Sequence, residues 1–181
     1  MRRVDSLRLR KTLALAFAVL SFCPILGSTE SSITPDMDRY LMEGLDAIYR
    51  MDFDGADVAA QKVIDLNPDH PYGYFALAST AWTRYVYETE QTDQALIAPI
   101  EKKMDVVLQK SHKWLKKHPK DAYVLMIEGS AYGLSSRLLC MRHEWLKAYW
   151  YGRKAVNITR SAIKADPNLY DAYLGVGMYD Y

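Results

Sequence analysis

Four histidines and two cysteines are the first places to look for metal-ligand or proton-transfer chemistry in this chain. His143-Glu144 opens like a zinc-protease helix, but Lys147 holds the place of the second histidine that such a site needs. His112 and His118 lie six residues apart among lysines, a poor spacing for two ligands on one helix face, and read as solvated. Asp69 and His70 are adjacent, as an acid–base pair would be. Pro71 follows them, so they read as the cap of the next helix. Gly175-Val176-Gly177 lacks the third glycine and the preceding strand of a nucleotide loop. Asn157-Ile158-Thr159 fits a glycosylation acceptor but falls inside a helical pattern. Four lysines between Lys113 and Lys120 surround Trp114 and His118 and read as a solvated helix end, where cations complement the helix dipole. Cys140 stands alone once Cys23 is assigned to the leading segment, so no disulfide framework arises, and it reads as a small apolar residue near a helix junction. No catalytic, cofactor-binding or metal-binding residue is assigned, and no cofactor is expected.

The elements that hold these groups begin after a distinct leading segment. Residues 1–27 carry five basic groups against Asp5, a net +4, while the remainder carries 18 basic against 21 acidic, a net −3. The basic start, the 15-residue apolar run Thr12–Leu26 and the small residues Gly27 and Ser28 together match a secretory signal peptide. Export to the periplasm or cell envelope is therefore expected, with residues 1–28 retained as a membrane anchor as the alternative. The apolar run contains Pro24 and is short for a span of about 20 residues. No basic face dominates residues 28–181, so nucleic acid is not an expected partner. Residues 29–36 read as a polar linker.

From residue 37 onward apolar residues recur at offsets of three and four, the period of a helix face, and no strand pattern appears. Tyr40, Gly44, Ala47 and Ile48 form one such face; Ala56, Ala60, Val63 and Ile64 form the next. The polar stretch Glu88–Gln94 connects a third helix to a fourth that carries Ile100, Met104, Val107, Leu108 and Leu115. Leu125, Gly129 and Tyr132 mark a fifth. A return helix follows, in which Trp145, Ala148, Gly152, Ala155, Thr159, Ala162 and Ile163 are spaced by threes and fours. The helical segments end at Asn67-Pro68, His118-Pro119 and Asp166-Pro167, and each proline precedes a small residue by ten positions: Ala78, Gly129 and Gly177. A fixed offset met three times predicts an all-α fold of repeated antiparallel hairpins, spanning 37–70, 71–121, 122–169 and a partial unit at 170–181.

The first hairpin resembles the tetratricopeptide repeat, a helix-turn-helix unit of about 34 residues. Tyr40, Gly44, Ala56, Ile64, Leu66, Asn67 and Pro68 match the family's pattern, while Glu43 and Ala47 replace its usual leucine and tyrosine. The interval from small residue to closing proline is 24 residues in the first unit, 41 in the second and 38 in the third. Lengthened helices account for the difference. What the resemblance implies is a TPR-like α-solenoid in which the first helix of each unit lines a concave groove. The groove positions carried over are Leu41, Leu45 and Ile48, then Tyr72, Phe75 and Trp82, then Tyr123 and Met126. They suit an apolar peptide or amphipathic helix, with burial as ordinary core as the competing reading.

The expected function is an exported helical-repeat scaffold for protein or peptide binding, not an enzyme, with a partner of unknown identity. The alternative is the helical part of a larger enzyme whose active site lies beyond Tyr181. Apolar Val176, Met178, Tyr179 and Tyr181 leave the final unit without the polar face of a cap, which favours a chain that continues past Tyr181.

Overall fold

Proline and acidic caps decide where the helices start. The computed structural model describes residues 32–180; the signal-peptide reading of residues 1–28 lies outside them. Thr34 accepts the Met37 backbone N–H at 3.3 Å and Pro35 takes the first helical position, so α1 runs Pro35–Tyr49. The linker read from the sequence therefore ends two residues sooner than expected. Asp52 accepts the Gly55 N–H at 2.9 Å to start α2, Phe53–Leu66. Helix α3 covers Tyr72–Thr89, taking in Glu88 and Thr89 from the expected connector. A short 3-10 turn, Gln94–Leu96, leads into α4, Ile97–Leu115. Asp121 starts α5, Ala122–Met141, by accepting the Val124 N–H at 3.1 Å with one carboxylate oxygen. Its other oxygen takes the Trp114 indole N–H at 2.8 Å and so ties α5 to the end of α4. Helices α6, Trp145–Ala165, and α7, Tyr170–Asp180, complete the described residues, among which there is no strand. The fold is all-α.

The three proline turns share a backbone hydrogen bond. Each closing turn has the same hydrogen bond across its proline: His70 N–H to Asn67 O, Asp121 N–H to His118 O, and Leu169 N–H to Asp166 O, at 3.1, 3.1 and 3.2 Å. Proline at the second position presets that turn. The tyrosine six residues after the proline donates back to the proline carbonyl in the first and third turns, Tyr74 at 3.1 Å and Tyr173 at 3.2 Å. Leu125 occupies that place in the second.

The turns inside the first and third hairpins also match. Met51 (φ 60°) and His143 (φ 62°) adopt the left-handed conformation that normally selects glycine after a helix. The next residue, Asp52 or Glu144, donates its N–H back to Ala47 O at 2.9 Å or Leu139 O at 3.0 Å. The second hairpin closes through a longer loop held by the buried Tyr85, whose hydroxyl donates to Gln91 O at 2.8 Å.

Helix length absorbs the extra residues of the later units. The first hairpin pairs helices of 15 and 14 residues, the second 18 and 19, the third 20 and 21. Each helix packs on its neighbours in the chain, and α3 also packs beside α1 and α5. The main buried cluster joins Ala78, Tyr85, Met104, Val107, Ile127 and Ala131 with Ala155 of α6. Small residues set the closest approach. A methyl group on Gly129 would overlap Thr159 Oγ1 and stand 3.1 Å from Ala155 O, so α5 and α6 meet at a glycine because nothing larger fits. Of the residues spaced by threes and fours on α6, Trp145 is 61% exposed, while Ala148, Ala155, Thr159 and Ala162 are buried. Among the described residues no helix is long and apolar enough to cross a membrane.

Candidate functional site

The groove positions expected from the sequence sit on α1, α3 and α5, the helices that lie side by side. Leu41 is half-buried and Leu45 exposed on α1. Tyr72, Phe75 and Trp82 follow one another down α3 at offsets of three and seven, half-buried against the main cluster. Tyr123 and Met126 are half-buried against a smaller cluster of Ala122, Ala162, Leu169 and Ala172. Apart from the exposed Leu45, these side chains are neither full core nor free surface.

Two of them meet. Tyr72 and Tyr123 line a hollow of about 370 Å³ together with Ile33, Pro35 and Asp38. Leu41, Leu45, Phe75, Trp82 and Met126 lie outside that hollow. Trp82 marks another part of the face, with the Arg137 guanidinium 5.1 Å from its ring centre and Tyr85 tilted against it at 5.8 Å. The hollow has a negative field. Burial pushes the Tyr72 phenol up to about 12, and Asp171, Tyr123 and Asp38 add to the shift. The phenol is therefore neutral at physiological pH and can donate a hydrogen bond to a ligand. Asp38 was legible in principle, since it shares the 38, 41, 45 spacing of one helix face. Ile33 precedes the helix and carries no periodic signal.

The titratable groups singled out in the sequence have mostly structural positions. His70 is buried and accepts the Tyr72 backbone N–H on Nδ1 at 3.3 Å, which fixes the neutral tautomer with its proton on Nε2, 3.2 Å from Ser32 Oγ. Its ring stands edge-on to Trp114 at 4.7 Å. It caps α3, as expected, but Asp69 does not; Asp69 pairs with Lys113 at 2.9 Å. Lys110, before the lysine-rich run, donates to Pro68 O at 2.6 Å across the proline turn, while the four lysines from Lys113 to Lys120 are exposed, as expected.

His112 is exposed, as expected, but it also has a partner on α5. Its Nε2 lies 2.7 Å from Oε1 of the buried Glu128, within hydrogen-bond reach. Tyr132 Oη lies 3.4 Å from the same nitrogen and receives Lys154 Nζ at 2.6 Å. This row of acid, imidazole, phenol and amine links α4, α5 and α6. Sequence periodicity gave no sign of it, because its members come from three helices. His143 sits in the turn before α6 and not on a helix, which removes the zinc-helix geometry. Gly175 and Gly177 lie within α7 and form no loop. Among the described residues no three His, Cys, Asp or Glu side chains gather as metal ligands. No protein-family model matches the chain, and no curated protein matches it.

Proposed function

We propose that this chain is an exported helical-repeat scaffold of tetratricopeptide type, binding an apolar peptide segment along α1, α3 and α5. The observation that carries the reading is the meeting of Tyr72 and Tyr123 around an open hollow, on a face whose other apolar residues stay partly accessible. Half-exposed aromatic side chains on rigid helices make good anchors, because little side-chain entropy remains to be lost on binding. Asp38 at the hollow's edge favours a ligand that brings a basic group or N–H donors to that end. Repeated proline turns and matching hairpin closures support the repeat assignment. The basic, apolar and small-residue succession of residues 1–28 supports export to the cell envelope.

Random-peptide display on the full chain tests the proposal. Selected sequences are expected to combine aromatic or aliphatic residues with lysine or arginine. Tyr123→Ala and Leu45→Ala are each expected to weaken their binding about tenfold while the thermal unfolding midpoint shows that the fold survives. Failure to select any peptide, or equal binding by folded variants, would refute it.

A further inference from the structure

Helix α6 turns its largest apolar side chains the wrong way for a helix that only packs. Trp145, Leu146, Tyr149 and Trp150 are 61, 79, 53 and 60% exposed, and their spacing of one, four and five residues places them on one stripe. The inward side is occupied by Ala148, Ala155, Thr159 and Ala162, so the stripe is not displaced core. Arg153 continues it, reaching back to the Tyr149 hydroxyl at 3.3 Å.

The charge on this helix is equally one-sided. Its 21 residues hold five basic side chains (Lys147, Arg153, Lys154, Arg160, Lys164) and no acidic one. The other residues of 28–181 hold 13 basic against 21 acidic, so α6 is a +5 segment on a body of −8. Glu144, just before the helix, is already paired with Arg142 at 3.0 Å and Lys147 at 3.7 Å. A shallow hollow beside the stripe is lined by Tyr132, Trp150, Tyr151, Arg153, Lys154 and Asn157 among others, and by no carboxylate.

We propose that α6 docks this protein flat on an anionic lipid surface, in addition to and independently of the α1–α3–α5 groove. Tryptophan and tyrosine settle at the headgroup level, where the ring is shielded and its N–H or O–H stays wet. Lysine and arginine beside them meet lipid phosphates, and the acidic remainder of the molecule is repelled, which orients α6 toward the membrane. The one carboxylate at the stripe, Glu144 beside Trp145 and Leu146, is held by Arg142 and Lys147, and the apolar groups need a partner that buries them without demanding carboxylates. An anionic bilayer offers both.

Tryptophan quenching by brominated lipids reads this directly in the full chain. Residues 1–30 contain no tryptophan, so any insertion of that segment is silent. Vesicles of brominated phosphatidylcholine and phosphatidylglycerol in equal parts are expected to quench the protein, and brominated phosphatidylcholine alone to quench it far less. Trp145→Phe with Trp150→Phe is expected to remove most of the quenching, leaving the signal of Trp82 and Trp114. Lys147→Glu with Arg153→Glu keeps all four tryptophans and is expected to weaken partitioning at least tenfold, with circular dichroism confirming the fold. No quenching by the mixed vesicles would overturn the proposal, as would equal quenching by both vesicle types. Quenching that persists without Trp145 and Trp150 would also overturn it. So would a dimer, seen in sedimentation, that Trp150→Glu dissociates and that does not bind vesicles.

Discussion

His70 shows how burial turns an ionisable side chain into a structural one. Enclosure by protein lowers it to about 4 from the usual 6.5, with Asp121 acting weakly in the other direction. Between those pH values the unfolded chain binds a proton that the folded chain refuses. Stability from this residue is thus complete above pH 6.5 and is lost as pH falls through about 4. The loss is bounded at roughly 3 kcal/mol by the size of the shift. Urea unfolding from pH 7 to pH 4 is expected to show that decline in the wild type and a flatter profile in His70→Asn, whose amide can still accept the Tyr72 N–H. His112 makes the opposite case, an exposed imidazole that satisfies a buried carboxylate. His112→Ala is expected to cost about 2–3 kcal/mol in urea unfolding, because Glu128 loses its donor inside the protein. A cost below about 1 kcal/mol would mean that water replaces the imidazole. His70 was legible as a capping residue from its place before Pro71. The His112–Glu128 pair was not, since six-residue spacing to His118 says nothing about a partner on α5.

At the level of elements, proline and small residues made the hairpins readable. Pro68, Pro119 and Pro167 close equivalent turns, and Gly129 sits at the tightest approach of α5 to α6. Helix lengthening was legible from the intervals between small residue and proline. The hairpin closures were not, because Met51 and His143 occupy left-handed positions where glycine is the usual signal. That backbone costs a residue with a Cβ about 1 kcal/mol. Met51→Gly and His143→Gly are each expected to raise stability by about 0.5–1 kcal/mol, part of the gain being offset by glycine's entropy in the unfolded chain. Paired thermal and urea unfolding checks this, and a loss of stability in both variants would contradict the matching-turn description. Trp145 shares the spacing of the buried residues of α6 but not their burial. Spacing by threes and fours places a side chain on a face without saying how much room that face has.

Across the molecule, lone helices packing in chain order leave one row, α1, α3 and α5, presenting partly buried aromatic and aliphatic groups together. The groove residues were legible only as a helical stripe, which burial as core would equally produce. Their half-buried state, and the gathering of Tyr72, Tyr123 and Asp38 at one hollow, depend on neighbouring helices far apart in sequence. The net charge likewise hid its own distribution, since the positive segment on α6 is offset by carboxylates elsewhere. The central claim is that the row of α1, α3 and α5 is a ligand surface. Photo-crosslinking tests it most directly, using a display-selected peptide with benzoylphenylalanine at its aromatic position and mass-spectrometric mapping of the attachment points. Attachment is expected at residues 38–45 of α1, 72–82 of α3 and 123–126 of α5. Attachment confined to α2, α4 or α6 would contradict it.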